Sequence, residues 1–290
     1  MIIDYGSSPP VPAFRQGPRK HLENYRRVYA SSEKAAGRDK ETTLEEWLAT
    51  YERLEARHVV VKARDIETTW GLKIPNEAVA EFCAEQGPRF IGFAGVDPLK
   101  GMAAVRELEH AVTKLGLRGL NLQCFENQVA IDDRRMYPLY AKCCELGIPV
   151  NIHCGINFSS HSSMEEFGRP TKIDRVAMDF PELRICASPP GWPWVHELIG
   201  VAWRHPNVWI GLVAIRHKYL GVAHSGYEPL LQYGRTVLKD RMIFGSAWPM
   251  MPVERCLEDI RGLGLPQEIE ERWLHSNAAT FLGLDGKAEA

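Results

Sequence analysis

Short apolar, β-rich runs recur along the chain, and between them apolar residues fall three and four positions apart. The runs lie at residues 2–5, 58–62, 90–95, 118–123, 149–154, 184–188, 208–213 and 242–246. In the intervening segments Leu44, Trp47, Leu48, Tyr51 and Leu54 repeat at helical spacing, with Thr42 and Glu45 placed as a capping box. Val105, Leu108, Val112 and Leu115 mark another amphipathic helix. Further helices are predicted near 76–85, 133–146, 171–179, 195–204, 228–238 and 253–263, and a last one near 267–283. Eight strands alternating with helices predict a closed parallel barrel rather than an open sheet.

Two segments interrupt this alternation. Residues 9–41 are rich in Pro, Arg, Lys and Ser and show no strong period, which predicts an extended loop after the first strand. Residues 155–170 form a second insertion, after the fifth strand. Both would leave the C-terminal face of a barrel, where active sites of such folds lie, so they are candidate lids or subunit contacts, or plain surface loops.

Composition narrows the function classes. The 290 residues fit one domain, 1–290, of barrel size. A formal net charge of −2 with 25% charged residues gives no extended basic surface for nucleic acid or anionic lipid. The first residues lack a basic region followed by an apolar stretch, and no run of about eighteen apolar residues occurs, so neither a signal peptide nor a membrane span is predicted and the expected location is cytoplasmic. Seven cysteines without Cys-x-x-Cys spacing predict reduced thiols rather than a disulfide frame or zinc site. The sequence lacks the Gly-x-Ser-x-Gly elbow, the phosphate loop and the Gly-x-Gly-x-x-Gly fingerprint, so no nucleotide cofactor is expected.

Three stretches carry a resemblance. The chain opens Met1-Ile2-Ile3-Asp4-Tyr5-Gly6-Ser7-Ser8-Pro9, continues through Ile148-Pro149-Val150-Asn151-Ile152-His153-Cys154-Gly155, and later reads Ile243-Phe244-Gly245-Ser246-Ala247-Trp248-Pro249-Met250. Together with Asp133-Arg134-Arg135-Met136-Tyr137-Pro138-Leu139-Tyr140 and Ser276-Asn277-Ala278-Ala279, they resemble the amidohydrolase superfamily, in its amidohydrolase-related branch of hydrolases and decarboxylases. The resemblance implies a single (β/α)8 TIM barrel with insertions after strands 1 and 5. It also implies a divalent metal held by an Asp-x-His-x-His run, a histidine after the sixth strand and a late aspartate. In this chain Gly6 and Ser8 stand in the first run, Pro189 in Ser188-Pro189-Pro190-Gly191-Trp192-Pro193-Trp194, and Ala247 in the last, while His153 keeps its family place. A catalytic divalent ion needs three or more His, Asp, Glu or Cys donors converging on one point, so no metal is expected at the mouth.

Candidate chemistry therefore rests on other strand-end residues. His153 shares a face with Asn151 and serves either in proton transfer or as a histidine bonded to its neighbours. Asp4 has the parity of Gly6 and Ser8 and is expected to face the barrel interior, either orienting His153 or lying below the site bonded to backbone amides. Lys62 and Arg64 in Val61-Lys62-Ala63-Arg64-Asp65 would hold a carboxylate or oxyanion, Lys62 being also a candidate desolvated nucleophile; the alternative is an ion pair with Asp65. Asn121 and Gln123 share a face beside a polar substrate, and Cys124 is a candidate thiol nucleophile. Arg216, beside His217 and Lys218, suits an anion or a solvated loop. Trp192, Trp194 and Trp248 offer an aromatic wall or loop packing.

The expected function is a metal-independent hydrolase or lyase using acid–base chemistry on a small anionic substrate, a lactone or an aromatic-derived acid. The alternatives are a catalytically inactive subunit paired with a metal-dependent homologue and a ligand-binding barrel. By family analogy a homodimer is expected, or a hetero-oligomer with that homologue.

Overall fold

The computed structural model describes residues 1–14, 20–25, 27–28 and 42–284. The eight predicted runs form eight parallel strands, namely β1 (Ile2–Asp4), β2 (Ala56–Lys62), β5 (Phe90–Gly95), β6 (Leu120–Leu122), β7 (Val150–Ile152), β8 (Ile185–Ala187), β9 (Val208–Leu212) and β10 (Met242–Phe244), adjacent in that order. Backbone bonds from Tyr5 N to Phe244 O (3.1 Å), Ala247 N to Gly6 O (2.7 Å) and Ser8 N to Trp248 O (2.9 Å) join the first strand to the last and close the barrel. The fold is a (β/α)8 TIM barrel.

Alternation along each strand divides the core into two layers. Val59, Val61, Leu120, Leu122, Val150 and Ile152 face the helices, while Ile3, Tyr5, Val60, Phe93, Cys186 and Ile243 fill the barrel. Helix Asn277–Leu282 plugs the N-terminal end: the Phe281 ring stands edge-on to Tyr5 at 5.5 Å and to Trp209 at 5.3 Å. With that end filled, space for a ligand remains at the C-terminal mouth.

Helices lie where the apolar period places them, among them Leu44–Arg53, Asn76–Gln86, Met102–Thr113, Tyr137–Glu145, Thr171–Asp179, Val195–Arg204, Glu228–Gly234 and Val253–Arg261. The capping box of the first of these is one residue later than expected. Thr43, not Thr42, accepts from Glu46 N at 3.2 Å, and its own N donates to Glu46 Oε2 at 2.9 Å. The predicted helix at 267–283 is three consecutive pieces, Gln267–Glu271, a π turn Arg272–Ser276 and Asn277–Leu282. An antiparallel ribbon absent from the sequence reading, β3 (Arg64–Ile66) with β4 (Leu72–Ile74), follows β2.

Neither insertion is plain loop. The described part of 9–41 contains two 3-10 turns, Pro12–Phe14 and Lys20–Leu22, and the rest of that segment lies outside the described residues. Residues 155–170 contain helix Met164–Gly168, capped by Ser163. Gly155 starts this segment at φ +93°, and a Cβ there would sit 3.0 Å from Gly191 Cα, so only glycine lets the two mouth loops meet. All seven cysteines are free. No helix among the described residues is long and apolar enough to cross a membrane.

Candidate functional site

The barrel mouth opens into a cavity of about 760 Å³. Its floor is made by residues of inward parity at the strand ends: Lys62 and Arg64 at the end of β2 and just past it, Asn121 and Gln123 in and after β6, and Asn151 and His153 in and after β7. Gly6, Ser8, Pro189 and Ala247 complete the rim. Both insertions supply walls, Phe14, Leu22 and Tyr25 from the first and Ile156 and Phe158 from the second. Trp192 and Trp248 also line the cavity.

The floor is a continuous chain of side-chain hydrogen bonds. Lys62 Nζ donates to Asn151 Oδ1 at 3.3 Å, and Asn151 Nδ2 donates to Asn121 Oδ1 at 3.0 Å. Gln123 Nε2 donates to the same Asn121 oxygen at 3.1 Å, and Asn121 Nδ2 is fixed on Ala63 O at 2.9 Å. These bonds set the orientation of both asparagine amides.

Lys62 is cationic without an acid beside it. Its Nζ lies 4.0 Å over the face of Tyr5, and among the described residues no carboxylate forms an ion pair with it. Burial pushes its pKa down to about 8; nearby Cys186 and Asp4 oppose this and Arg64 adds to it. A Cβ built on Gly6 would lie 3.6 Å from this amine. At that distance a Cβ would touch the amine in ordinary van der Waals contact, so Gly6 stands directly beside the lysine.

Arg64 is held differently, with Nη1 3.2 Å from Oε1 of Glu126, a buried carboxylate that also meets His21 Nε2 at 2.9 Å. His21 comes from the first insertion and stacks on Trp70 at 4.4 Å. Glu126 lines the cavity and was missed in the sequence. Tyr219, His224, Ser225 and Tyr227, from the loop after β9, were also missed.

The His153 ring packs against Phe125 at 4.4 Å, and among the described residues its buried Nδ1 has no hydrogen-bond partner. Burial pushes its pKa down to about 4, with Glu126 opposing and Arg64 reinforcing the shift, so the imidazole is neutral at pH 7. Burial pushes His217, whose Nε2 bonds Leu212 O at 2.7 Å, down to about 4 as well. The unfolded value is about 6.5, so the unfolded chain takes up these protons first as pH falls. Their contribution to stability is present above pH 6.5 and is lost as pH drops toward 4. The melting temperature is therefore expected to hold from pH 8 to 7 and fall below about pH 6. In His153→Gln the acid limb should be shallower; an unchanged limb by differential scanning fluorimetry counts against the buried neutral imidazole.

Four candidate site residues lie elsewhere. Asp4 faces the helix layer, not the barrel interior, because Ile3 and Tyr5 take the inward positions and strict alternation ends with β1 at Asp4. Its carboxylate accepts from Tyr51 Oη (2.7 Å), Ser246 Oγ (2.6 Å), Ser246 N (2.9 Å) and Gly6 N (3.1 Å). Arg216 turns away from the cavity toward Asp259, 3.9 Å distant. Cys124 is buried in the outer core, and that burial pushes its thiol up to about 12, which keeps it protonated. Trp194 lies beneath the Arg169 guanidinium and is not part of the cavity wall.

Among the described residues no group of three or more His, Cys, Asp or Glu side chains is placed to hold a metal ion. At the rim, Gly6, Pro189 and Ala247 carry no donor atom and Ser8 carries a hydroxyl. This donor set does not fit a divalent ion of the catalytic type.

A parallel barrel with polar strand ends at its C-terminal mouth defines the class, and residues 29–284 match the family model described as Amidohydrolase. The chain belongs to that family. It is 23% identical over 256 residues to gamma-resorcylate decarboxylase of Rhodococcus jostii (strain RHA1), covering 72% of this chain and 75% of that one. A shorter match, 30% over 78 residues, links 27% of the chain to 22% of 2-amino-3-carboxymuconate-6-semialdehyde decarboxylase of Dictyostelium discoideum. Among solved structures, an uncharacterised TIM-barrel protein of Bordetella bronchiseptica has a TM-score of 0.78 at 28% identity, with 99% of each chain covered. The fold is also that of 5-carboxyvanillate decarboxylase from Sphingomonas paucimobilis, with a TM-score of 0.66 at 19% identity over 97% of this chain and 98% of that one.

Proposed function

We propose that the protein is a metal-independent hydrolase or lyase that acts by acid–base chemistry on a small anionic substrate, an aromatic-derived acid or a lactone. The observation that carries this reading is the Lys62 amine, partly buried in the cavity floor beside Gly6, with no carboxylate in an ion pair with it among the described residues. A positive charge fixed there stabilises negative charge developing on a bound substrate. The Arg64 guanidinium holds the substrate carboxylate, and Asn121 and Gln123 present amides to its polar substituents. Trp192 and Trp248 take a planar ring between the mouth loops.

His153 moves the proton. A neutral imidazole accepts one from a phenolic hydroxyl or from a water attacking a lactone carbonyl, and returns it to ring carbon or leaving oxygen. The named relatives that decarboxylate aromatic acids support that substrate class. The test is an assay of chelator-treated protein, checked for metal by elemental analysis, against a panel of hydroxybenzoic acids and lactones. Turnover of a panel member is expected to be unchanged by chelation and to fall by roughly 10²–10⁴ in His153→Ala. Turnover that returns only with an added divalent ion overturns the reading.

A further inference from the structure

The Lys62 amine combines four features that an ion-pairing lysine does not. It is partly buried, and its side chain borders a cavity of about 760 Å³. Its hydrogen bond to Asn151 is long, at 3.3 Å, and its other near neighbour is the face of the Tyr5 ring at 4.0 Å. The place beside it is left open by the absent side chain of Gly6, whose built Cβ would lie 3.6 Å away. Finally, Arg64 supplies a permanent cation on the same strand-end face, so binding an anion does not require the lysine to stay charged.

We propose that Lys62 is a carbonyl-trapping nucleophile, forming an imine with an aldehyde or keto acid whose carboxylate rests on Arg64. The inference rests on the proposed active site for its location and deepens it by naming the substrate class. Neutral Lys62 adds through Nζ to the carbonyl carbon, and the two amine hydrogens leave with the carbonyl oxygen as water. One proton from solvent converts the imine to an iminium, which restores a positive charge where the ammonium stood. For a β-keto acid, the electron pair of the breaking carbon–carboxylate bond moves into the iminium, releasing carbon dioxide and leaving an enamine. Protonation of the enamine carbon and hydrolysis by one water then return the ketone and free Lys62. No oxidant, reductant or metal enters the balance.

The titratable and polar groups around the amine are Arg64 from its own strand end, Tyr5 just beyond β1, Asn151 from β7 and Cys186 from β8, with Asp4 of β1 acting through its charge from the helix-layer side. With a pKa near 8, a substantial fraction of Lys62 is neutral at pH 7.5, against about one part in a thousand for an exposed lysine near 10.4.

The experiment is reductive trapping with sodium cyanoborohydride, using glyoxylate and phenylglyoxylate as probes, read by peptide mass mapping of the full chain at pH 7.5. Lys62 is expected to be labelled at least about tenfold faster than exposed lysines. Its rate should rise between pH 6.5 and 8.5, and excess benzoate should suppress it by filling the cavity. Lys62→Arg keeps the charge and should remove the fast label, leaving slow surface labelling. Labelling spread over surface lysines with Lys62 unmodified, in protein with a native melting profile, overturns the proposal. The benzoate arm uses the unmodified chain, so the test stands even where the variant does not fold. An untrapped Lys62 with chelator-insensitive turnover sinks the imine alone. A trapped Lys62 with metal-dependent turnover sinks the proposed function alone.

Discussion

Lys62→Met is expected to abolish turnover of a substrate identified from the panel and, at pH 7, to raise the melting temperature. The two effects have one origin. Burial holds the ammonium at a pKa of about 8, whereas the unfolded chain holds a lysine near 10.4. Between those values the unfolded state binds more protons, so stability rises with pH across the window and the charged lysine penalises the fold most below pH 8. A shift of that size corresponds to roughly 3 kcal/mol at neutral pH. Methionine fills the volume of the stem without the charge. It forfeits the bond to Asn151 and the contact with Tyr5, each worth about 1 kcal/mol, so a net gain of about 1–2 kcal/mol and a few degrees remains. The gain should shrink as pH is raised from 8 to 10.5. A lower melting temperature at pH 7, measured by calorimetry beside the activity assay, would mean that the amine is there to hold the fold. Stability given up at one buried cation is the pattern expected of a functional site.

The barrel is legible in the sequence because its strands leave short β-rich runs at regular intervals, and the helices that cover them leave a single apolar stripe. What failed to show are elements without such a signature. The ribbon Arg64–Ile66 with Leu72–Ile74 has three residues per strand, and Arg64, Asp65 and Lys73 place charges in both of them. The capping box was ambiguous by one residue because Thr42–Glu45 and Thr43–Glu46 satisfy the same spacing, and the geometry selects the second. No local pattern announces the π turn at Arg272–Ser276, which lies inside one helical period.

At the site, parity carries as far as regular strand geometry does. Lys62 with Arg64, Asn121 with Gln123 and Asn151 with His153 were each grouped correctly, because the counting begins inside a strand whose inward face is fixed by the core. Arg216 sits four residues beyond Leu212, the last residue of β9, where the chain has left that alternation. Cys124 heads a short helix that rotates its thiol into the outer core. Glu126 required knowing that the first insertion folds back to place His21 against it, a contact spanning 105 positions that no local reading supplies. The rim shows the opposite case: Gly6, Pro189 and Ala247 were legible as residues without donors, and only the geometry shows the Lys62 amine standing next to Gly6.

Asp4→Ala is expected to cost roughly 3–5 kcal/mol of stability, enough to lower the melting temperature by several degrees or prevent recovery of folded protein. Asp4 and Ser246 meet across the seam where the first strand closes on the last, and the carboxylate receives four donors there, three of them from the two strand ends and one from Tyr51 of helix Leu44–Arg53. Removing it leaves two backbone amides and two hydroxyls buried at the closure, and the adjoining bonds from Ala247 N to Gly6 O and from Ser8 N to Trp248 O lose their anchor. Asp4→Asn should be milder, since one amide oxygen still accepts while the amide nitrogen meets a donor. The Asn variant, where it folds, separates closure from catalysis: the seam role predicts a lower melting temperature with kcat reduced by no more than several-fold. A melting temperature unchanged within a degree or two, together with a hundredfold loss of kcat, would instead return Asp4 to the reaction. Because Gly6 donates its own amide to Asp4 and leaves beside Lys62 the space a side chain would fill, a loosened seam should also blur the position of that amine. Measured near pH 9.5, where Lys62 is neutral with or without the Asp4 charge that raises its pKa, its labelling rate in Asp4→Asn is thus expected to fall in step with stability, which ties the closure of the barrel to the placement of its reactive lysine.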